Sequence, residues 1–185
     1  MNQRKLILDW VFDNRAAHPD KVYLTQPVGG GKVIDYTWDD VVGQALRMAS
    51  HLRAQGFEPG AKIAILSKNC AHFVMAELAI WMAGGTTVAI FPTETAEIVR
   101  FVLEDSGASL LFVGKLDIWP QQASAVPASL PCIAFPLAPP TKFDTWDAII
   151  GRTEPLAELP RREPAELAML IYTSGSTGRP KGAML

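Results

Sequence analysis

Lys62-Ile63-Ala64-Ile65-Leu66 and Thr86-Thr87-Val88-Ala89-Ile90-Phe91 are near-continuous apolar runs with a helical pattern between them. Runs of this length without polar alternation suit strands covered on both faces, as in parallel sheets. The intervening stretch repeats Phe73, Met75, Leu78, Ala79 and Met82 at helical spacing, with Asn69 placed to cap its start and Gly84-Gly85 to end it. A second unit follows: a helix from about Ala96 to Asp105, ended by Gly107, then a third strand over Leu110 to Val113. This alternation predicts an α/β fold, with a largely parallel sheet flanked by helices.

Upstream, Leu6, Leu8, Trp10, Val11 and Phe12 give a helical stretch that His18-Pro19 stops. Val22 to Gln26 and Lys32 to Trp38 alternate around Val28-Gly29-Gly30-Gly31. No G-x-G-x-x-G opens a helix there, so a hairpin turn is expected rather than a nucleotide loop. Thr37 with Asp40 resembles a capping box for a helix that places Val41, Ala45, Met48, Ala49 and Leu52 on one face and ends at Gly56. His72 has no second ligand at i+3 or i+4 and is expected at a helix surface, while His18 and His51 are isolated. Asp39-Asp40 suit a helix N-terminus, and Glu104-Asp105 are expected as a solvated pair closing a helix. No Ser-His-Asp order and no paired catalytic carboxylates can be assembled from these residues.

From Leu116 onward prolines 120, 127, 131, 136, 139 and 140 loosen the pattern. Cys132 to Phe135 is a short strand and Thr145 to Ile150 a short helix in this reading, with a charged connection from Thr153 to Pro164. The 185 residues suit one domain or part of a larger one, and 49% apolar content is ample for a core. A formal charge of −2 gives no basic field, which argues against nucleic-acid binding. Cys70 and Cys132 lie far apart with no metal spacing and read as two reduced, buried thiols of a cytoplasmic protein. Asp9 and Asp13 interrupt any signal-peptide core, and the Leu78 to Pro92 stretch is too short to span a bilayer.

The chemistry is carried by the last stretch, Leu170-Ile171-Tyr172-Thr173-Ser174-Gly175-Ser176-Thr177-Gly178-Arg179-Pro180-Lys181-Gly182-Ala183. An apolar run from Leu167 to Tyr172, expected as a buried strand, feeds a loop of glycines and hydroxyls. Glycines let backbone N–H groups approach phosphate oxygens, and the hydroxyls of Thr173, Ser174, Ser176 and Thr177 can donate to the same oxygens. Arg179 and Lys181 supply positive charge, and Pro180 stiffens the chain ahead of the lysine. The Walker pattern fails, because Pro180 precedes Lys181 and Gly182 follows it, leaving no hydroxyl there for Mg²⁺. A plain flexible linker would rarely follow a buried strand or end in Pro-Lys-Gly.

Tyr172 to Gly182 resembles the signature phosphate loop of the adenylate-forming (AMP-binding) ligases. Tyr36-Thr37-Trp38 before a long helix, and Lys62 to Cys70, resemble the front of acyl-CoA synthetases. Pro92-Thr93-Glu94-Thr95-Ala96-Glu97 before its helix is nearer to the long-chain fatty acyl branch than to amino-acid-activating domains. The resemblance implies that residues 1–185 form the front part of the large N-terminal domain, ending just after the phosphate loop. The remainder of that domain and the C-terminal domain would be absent.

By this resemblance Thr173, Ser174, Gly175, Ser176, Thr177, Gly178 and Lys181 bind the phosphates of ATP. Lys181 is the catalytic cation and Thr173 a contact of Mg²⁺. The implied parent activates a fatty acid, long-chain in this branch, to acyl-AMP and pyrophosphate, then passes the acyl group to CoA. Alternatives left open are a ligase for a short-chain, aryl or amino acid, a P-loop kinase or NTPase, and a non-catalytic interaction or dimerisation module. The expectations also include an inactive isolated chain, self-association or domain exchange, and peripheral contact at the inner face of a membrane.

Overall fold

A computed structural model describes residues 5–173 and 180–185. Helix α1 (Ile7–Ala17) begins where the Asp9 carboxylate accepts the Leu6 N–H at 2.7 Å, and it stops just before Pro19. Strands β1 (Val22–Gly29) and β2 (Lys32–Thr37) pair antiparallel as the expected hairpin. Its turn runs through Gly29, Gly30 and Gly31 at φ of 94°, 59° and 73°, a left-handed course that a β-carbon would oppose. Helix α2 (Trp38–Ala54) carries the capping box: the Asp40 N–H donates to Thr37 Oγ1 at 3.1 Å, and the Thr37 N–H to Asp40 Oδ2 at 2.8 Å.

The repeating units follow as β3 (Lys62–Leu66), α3 (Ala71–Met82), β4 (Thr86–Ile90), α4 (Ala96–Ser106) and β5 (Leu110–Val113). Asn69 does not cap α3. The capping position is Cys70, whose side chain makes no capping bond, and the first free N–H, that of Ala71, donates instead to Gln26 Oε1 at 2.8 Å. A buried β1 side chain thus does the work expected of a local residue.

The loose region supplies α5 (Trp119–Gln122), a 3₁₀ turn at Ala123–Ala125, β6 (Cys132–Ala134), β7 (Asp144–Thr145) and α6 (Trp146–Arg152). Thr145 Oγ1 caps α6 by accepting the Ala148 N–H at 3.3 Å. The chain closes with β8 (Met169–Thr173) and β9 (Lys181–Met184), an antiparallel pair.

Among the described residues the main sheet has the order β7-β6-β5-β3-β4-β8-β9, parallel throughout except at β8–β9. Side-chain alternation along β3 divides the core. Ile63 and Ile65 join the cluster under α1, α2, α3 and α6, while Ala64 and Leu66 join the one under α4 and α5. Leu111 and Phe112, one on each side, are fully buried, and each contributes roughly 1.5–3 kcal/mol of hydrophobic stabilisation.

His72 departs from its expected surface position. It is 3% exposed, with Tyr36 and Trp146 edge-on at 5.8 and 5.5 Å and Phe135 tilted at 6.0 Å. Burial pulls its ionisation from 6.5 down to about 4, so the ring is neutral near pH 7. Cys70 and Cys132 are free and half-buried, and burial pushes the Cys132 thiol up to about 11. No helix among the described residues is long and apolar enough to cross a membrane.

Candidate functional site

Strand β3 leads into α3 on one face of the sheet, whereas its neighbour β4 leads into α4 on the other. Ligands of open α/β sheets bind in the crevice beyond the strand carboxyl ends at such a reversal. Ser67 and Lys68 follow β3 at this end, Phe91 and Pro92 follow β4, and Gly114 and Lys115 follow β5. Phe91 stands 51% exposed there.

The rim is built rigidly. Ser67 Oγ donates to the Lys68 carbonyl at 2.6 Å and accepts the Lys115 N–H at 3.0 Å, tying the ends of β3 and β5 together. A β-carbon on Gly114 would lie 2.2 Å from Ser67 Oγ and 2.7 Å from the Phe135 ring, so only glycine allows this approach. Lys68 pairs with Asp117 across the same gap. The Gln122 amide nitrogen donates to the carbonyls of Pro92 and Glu94 at 3.0 and 2.8 Å, holding the loop after β4.

The phosphate-loop candidates enter from β8. Thr173 and Lys181 are register partners across the β8–β9 hairpin, and both are exposed. The structure therefore brings together the hydroxyl and the cation that end the motif, through an edge strand β9 that the sequence did not signal. Ser174, Gly175, Ser176, Thr177 and Gly178 lie outside the described residues. Rather than fully buried, β8 is only partly covered along Met169 to Ile171, one strand in from the edge of the sheet.

Sequence reasoning missed what holds the end of β8. Tyr172 is 6% exposed, and its hydroxyl donates to Asp105 Oδ2 at 2.6 Å. Asp105 is exposed, as expected of a solvated helix end, but it also has a partner that the sequence did not show. A carboxylate near a helix C-terminus is disfavoured by the helix dipole, and that anomaly was the available signal for a partner. Burial first, and then Asp105, push the Tyr172 phenol well above its ordinary ionisation range. Phe101 meets its ring edge-on at 6.4 Å, and a β-carbon on Gly182 would come within 3.3 Å of Tyr172 Cζ.

A groove of about 800 Å³ lies at the other end of the sheet, lined in part by Phe12, Trp81, Pro160, Arg162, Glu166 and Leu185. Ala168 and Leu185 place it at the amino end of β8, so it is not where the phosphate motif points. Among the described residues no group of three or more His, Cys, Asp or Glu side chains could hold a metal.

The sequence matches the AMP-binding enzyme family over residues 11–185. A long-chain-fatty-acid–CoA ligase of Mycobacterium bovis is 32% identical over 181 residues, covering 95% of this chain and 30% of that protein. Tyrocidine synthase 3 of Brevibacillus parabrevis is 33% identical over 151 residues, covering 80% of this chain and 2% of the synthase. Among solved structures, the anthranilate CoA ligase AuaEII in complex with anthranoyl-AMP superposes with a TM-score of 0.85 at 21% identity. That comparison covers 100% of this chain and 35% of AuaEII, and it shows the fold. The chain thus spans about a third of the length of the CoA ligases it matches.

Proposed function

The chain belongs to the AMP-binding enzyme family of adenylate-forming ligases, and on that premise we propose that it is the phosphate-gripping part of an acyl-CoA ligase. In the proposed reaction a fatty-acid carboxylate oxygen attacks the α-phosphorus of ATP, and the bond from that phosphorus to pyrophosphate breaks. The CoA sulfur then bonds to the acyl carbon, and AMP leaves with the former carboxylate oxygen. The observation that supports this most is the Thr173–Lys181 pairing at the carboxyl end of the parallel sheet.

Lys181 is suited to neutralise charge that builds on the departing pyrophosphate, an electrostatic role in the transition state. Mg²⁺ fits the site through one protein oxygen. A Mg²⁺ ion on a nucleotide keeps several waters and phosphate oxygens, so the exposed Thr173 hydroxyl would supply one of the few protein ligands it needs. The metal's contribution when bound is to balance phosphate charge. Ser174, Gly175, Ser176, Thr177 and Gly178 would add backbone and hydroxyl donors to the same oxygens.

A fatty acid, long-chain in the first instance, is the proposed substrate, favoured by the mycobacterial relative. The relation to tyrocidine synthase supports an amino acid as the second reading. The test is ATP–pyrophosphate exchange with acids from acetate to palmitate, an aryl acid and a set of amino acids. It is run on the chain and on any longer product of its gene. Exchange with long-chain acids alone supports the reading, exchange with amino acids alone replaces its substrate, and silence of the longer product with every acid removes it. The chain by itself is proposed to be silent, since one phosphate loop cannot orient both substrates.

Self-association is part of the same proposal. Edge strand β9 presents unpaired backbone groups, and Met184 and Leu185 are 76% and 65% exposed. Light scattering over a concentration series should show growth in mass, and a constant monomer would remove this point.

A further inference from the structure

The distal end of the β8–β9 hairpin has little sheet to hold it. The ladder between β4 and β8 covers Thr87–Ala89 against Met169–Ile171 and goes no further. Among the described residues Tyr172 and Thr173 have no ladder partner on β4 and pair with Gly182 and Lys181 of the edge strand. A two-stranded ribbon of this kind is marginal in water without further packing.

One side chain supplies that packing. Tyr172 turns its ring toward α4, where Phe101 meets it edge-on and Asp105 accepts its hydroxyl hydrogen at 2.6 Å. The ring also lies close to Gly182, which leaves it room by having no side chain. α4 is itself seated firmly, with Val99, Val102 and Leu103 buried against the sheet. Through Tyr172 the hairpin is tied to a rigid element rather than to its own edge.

We infer that Tyr172 and Asp105 are positioning residues: their hydrogen bond holds the hairpin so that Thr173 and Lys181 are presented to the nucleotide phosphates. The inference rests on the proposed ATP-binding role of these two residues. Placement matters because a cation stabilises developing phosphate charge only when it is already fixed at the right distance, and small misplacements reduce the rate steeply. A hydrogen bond to a charged acceptor is stronger than a neutral one, which suits a tether.

The test uses Tyr172→Phe, which keeps the ring, Asp105→Leu, which removes the acceptor, and Asp105→Asn, which keeps a neutral one. Amide hydrogen exchange on the chain reads the tether without activity. In Tyr172→Phe and Asp105→Leu the amides of Thr173, Lys181 and Gly182 should exchange about tenfold faster, with β3 and β5 unchanged. Asp105→Asn should recover most of the protection. In the pyrophosphate-exchange assay on the longer product, the first two variants should raise the KM for ATP about tenfold, with little change in Tm.

Unchanged hairpin amides in both variants, or equal acceleration throughout the sheet, would overturn the inference. So would local acceleration with an unaltered KM. If no protein in the series shows pyrophosphate exchange, the proposed function falls, and the amide rates still decide whether the tether exists.

Discussion

His72 and Glu77 lie on the same helix and give stability opposite pH dependences. Burial lowers His72 from 6.5 to about 4, with Asp147 pulling weakly the other way. Burial raises Glu77 from 4.5 to about 7, and its Oε1 has no hydrogen-bond partner among the described residues. For His72 the unfolded chain takes up a proton that the folded chain refuses. Its contribution is therefore complete above pH 6.5 and lost as pH falls toward 4. For Glu77 the folded chain keeps a proton that the unfolded chain releases, so its contribution is complete below pH 4.5 and lost as pH rises through 7.

Each displacement corresponds to about 3 kcal/mol at most. Because Glu77 is only partly buried, solvent screening reduces its share to about 2 kcal/mol. Between pH 4.5 and 7 the two nearly cancel, and single variants should uncover them. His72→Phe, an aromatic replacement among aromatic neighbours, should lose about 2 kcal/mol relative to wild type as pH rises across this window. Glu77→Gln should gain a similar amount over the same change. Urea unfolding followed by circular dichroism at half-unit pH steps reads both slopes. If either variant runs parallel to wild type, that residue is not buried as described and the reasoning fails.

Three further outcomes are expected. Gly114→Ala should destabilise the chain by about 1–3 kcal/mol, since the new methyl meets Ser67 and Phe135; urea midpoints check it. Gln26→Ala should cost about 1–2 kcal/mol by leaving the Ala71 N–H unpaired at the start of α3. Its signature is faster amide exchange confined to that first turn. Lys181→Ala should lower pyrophosphate exchange by a factor on the order of 10²–10³ in a longer product that shows it, with the unfolding midpoint unchanged, because the side chain is exposed.

Much of the fold was legible because its signals are local. The apolar runs at Lys62–Leu66 and Leu110–Val113, the Thr37–Asp40 box and the Gly107 helix stop each depend on neighbours in sequence, and each stands where its residues place it. The phosphate motif was legible for the same reason: it is one contiguous stretch whose residue types state their own chemistry. Strand order was not, since a parallel ladder pairs residues whose separation leaves no periodic trace.

The same division runs through single residues. His72 read as a surface histidine because the aromatic rings around it come from β2, α6 and the loop after β6. Asn69 read as a cap because Gln26, which takes that task, is remote along the chain. Asp105 read as solvated, and it is exposed, but its bond to Tyr172 was not legible because the two meet only once β8 has docked beside β4. The sequence alone determined most of the elements and the residue types on which the proposed phosphate binding rests, because propensity, periodicity and side-chain type are local. Only the tertiary structure decided which side chains are buried, what caps α3 and what holds Thr173 opposite Lys181, because those depend on contacts that exist only after the sheet has closed.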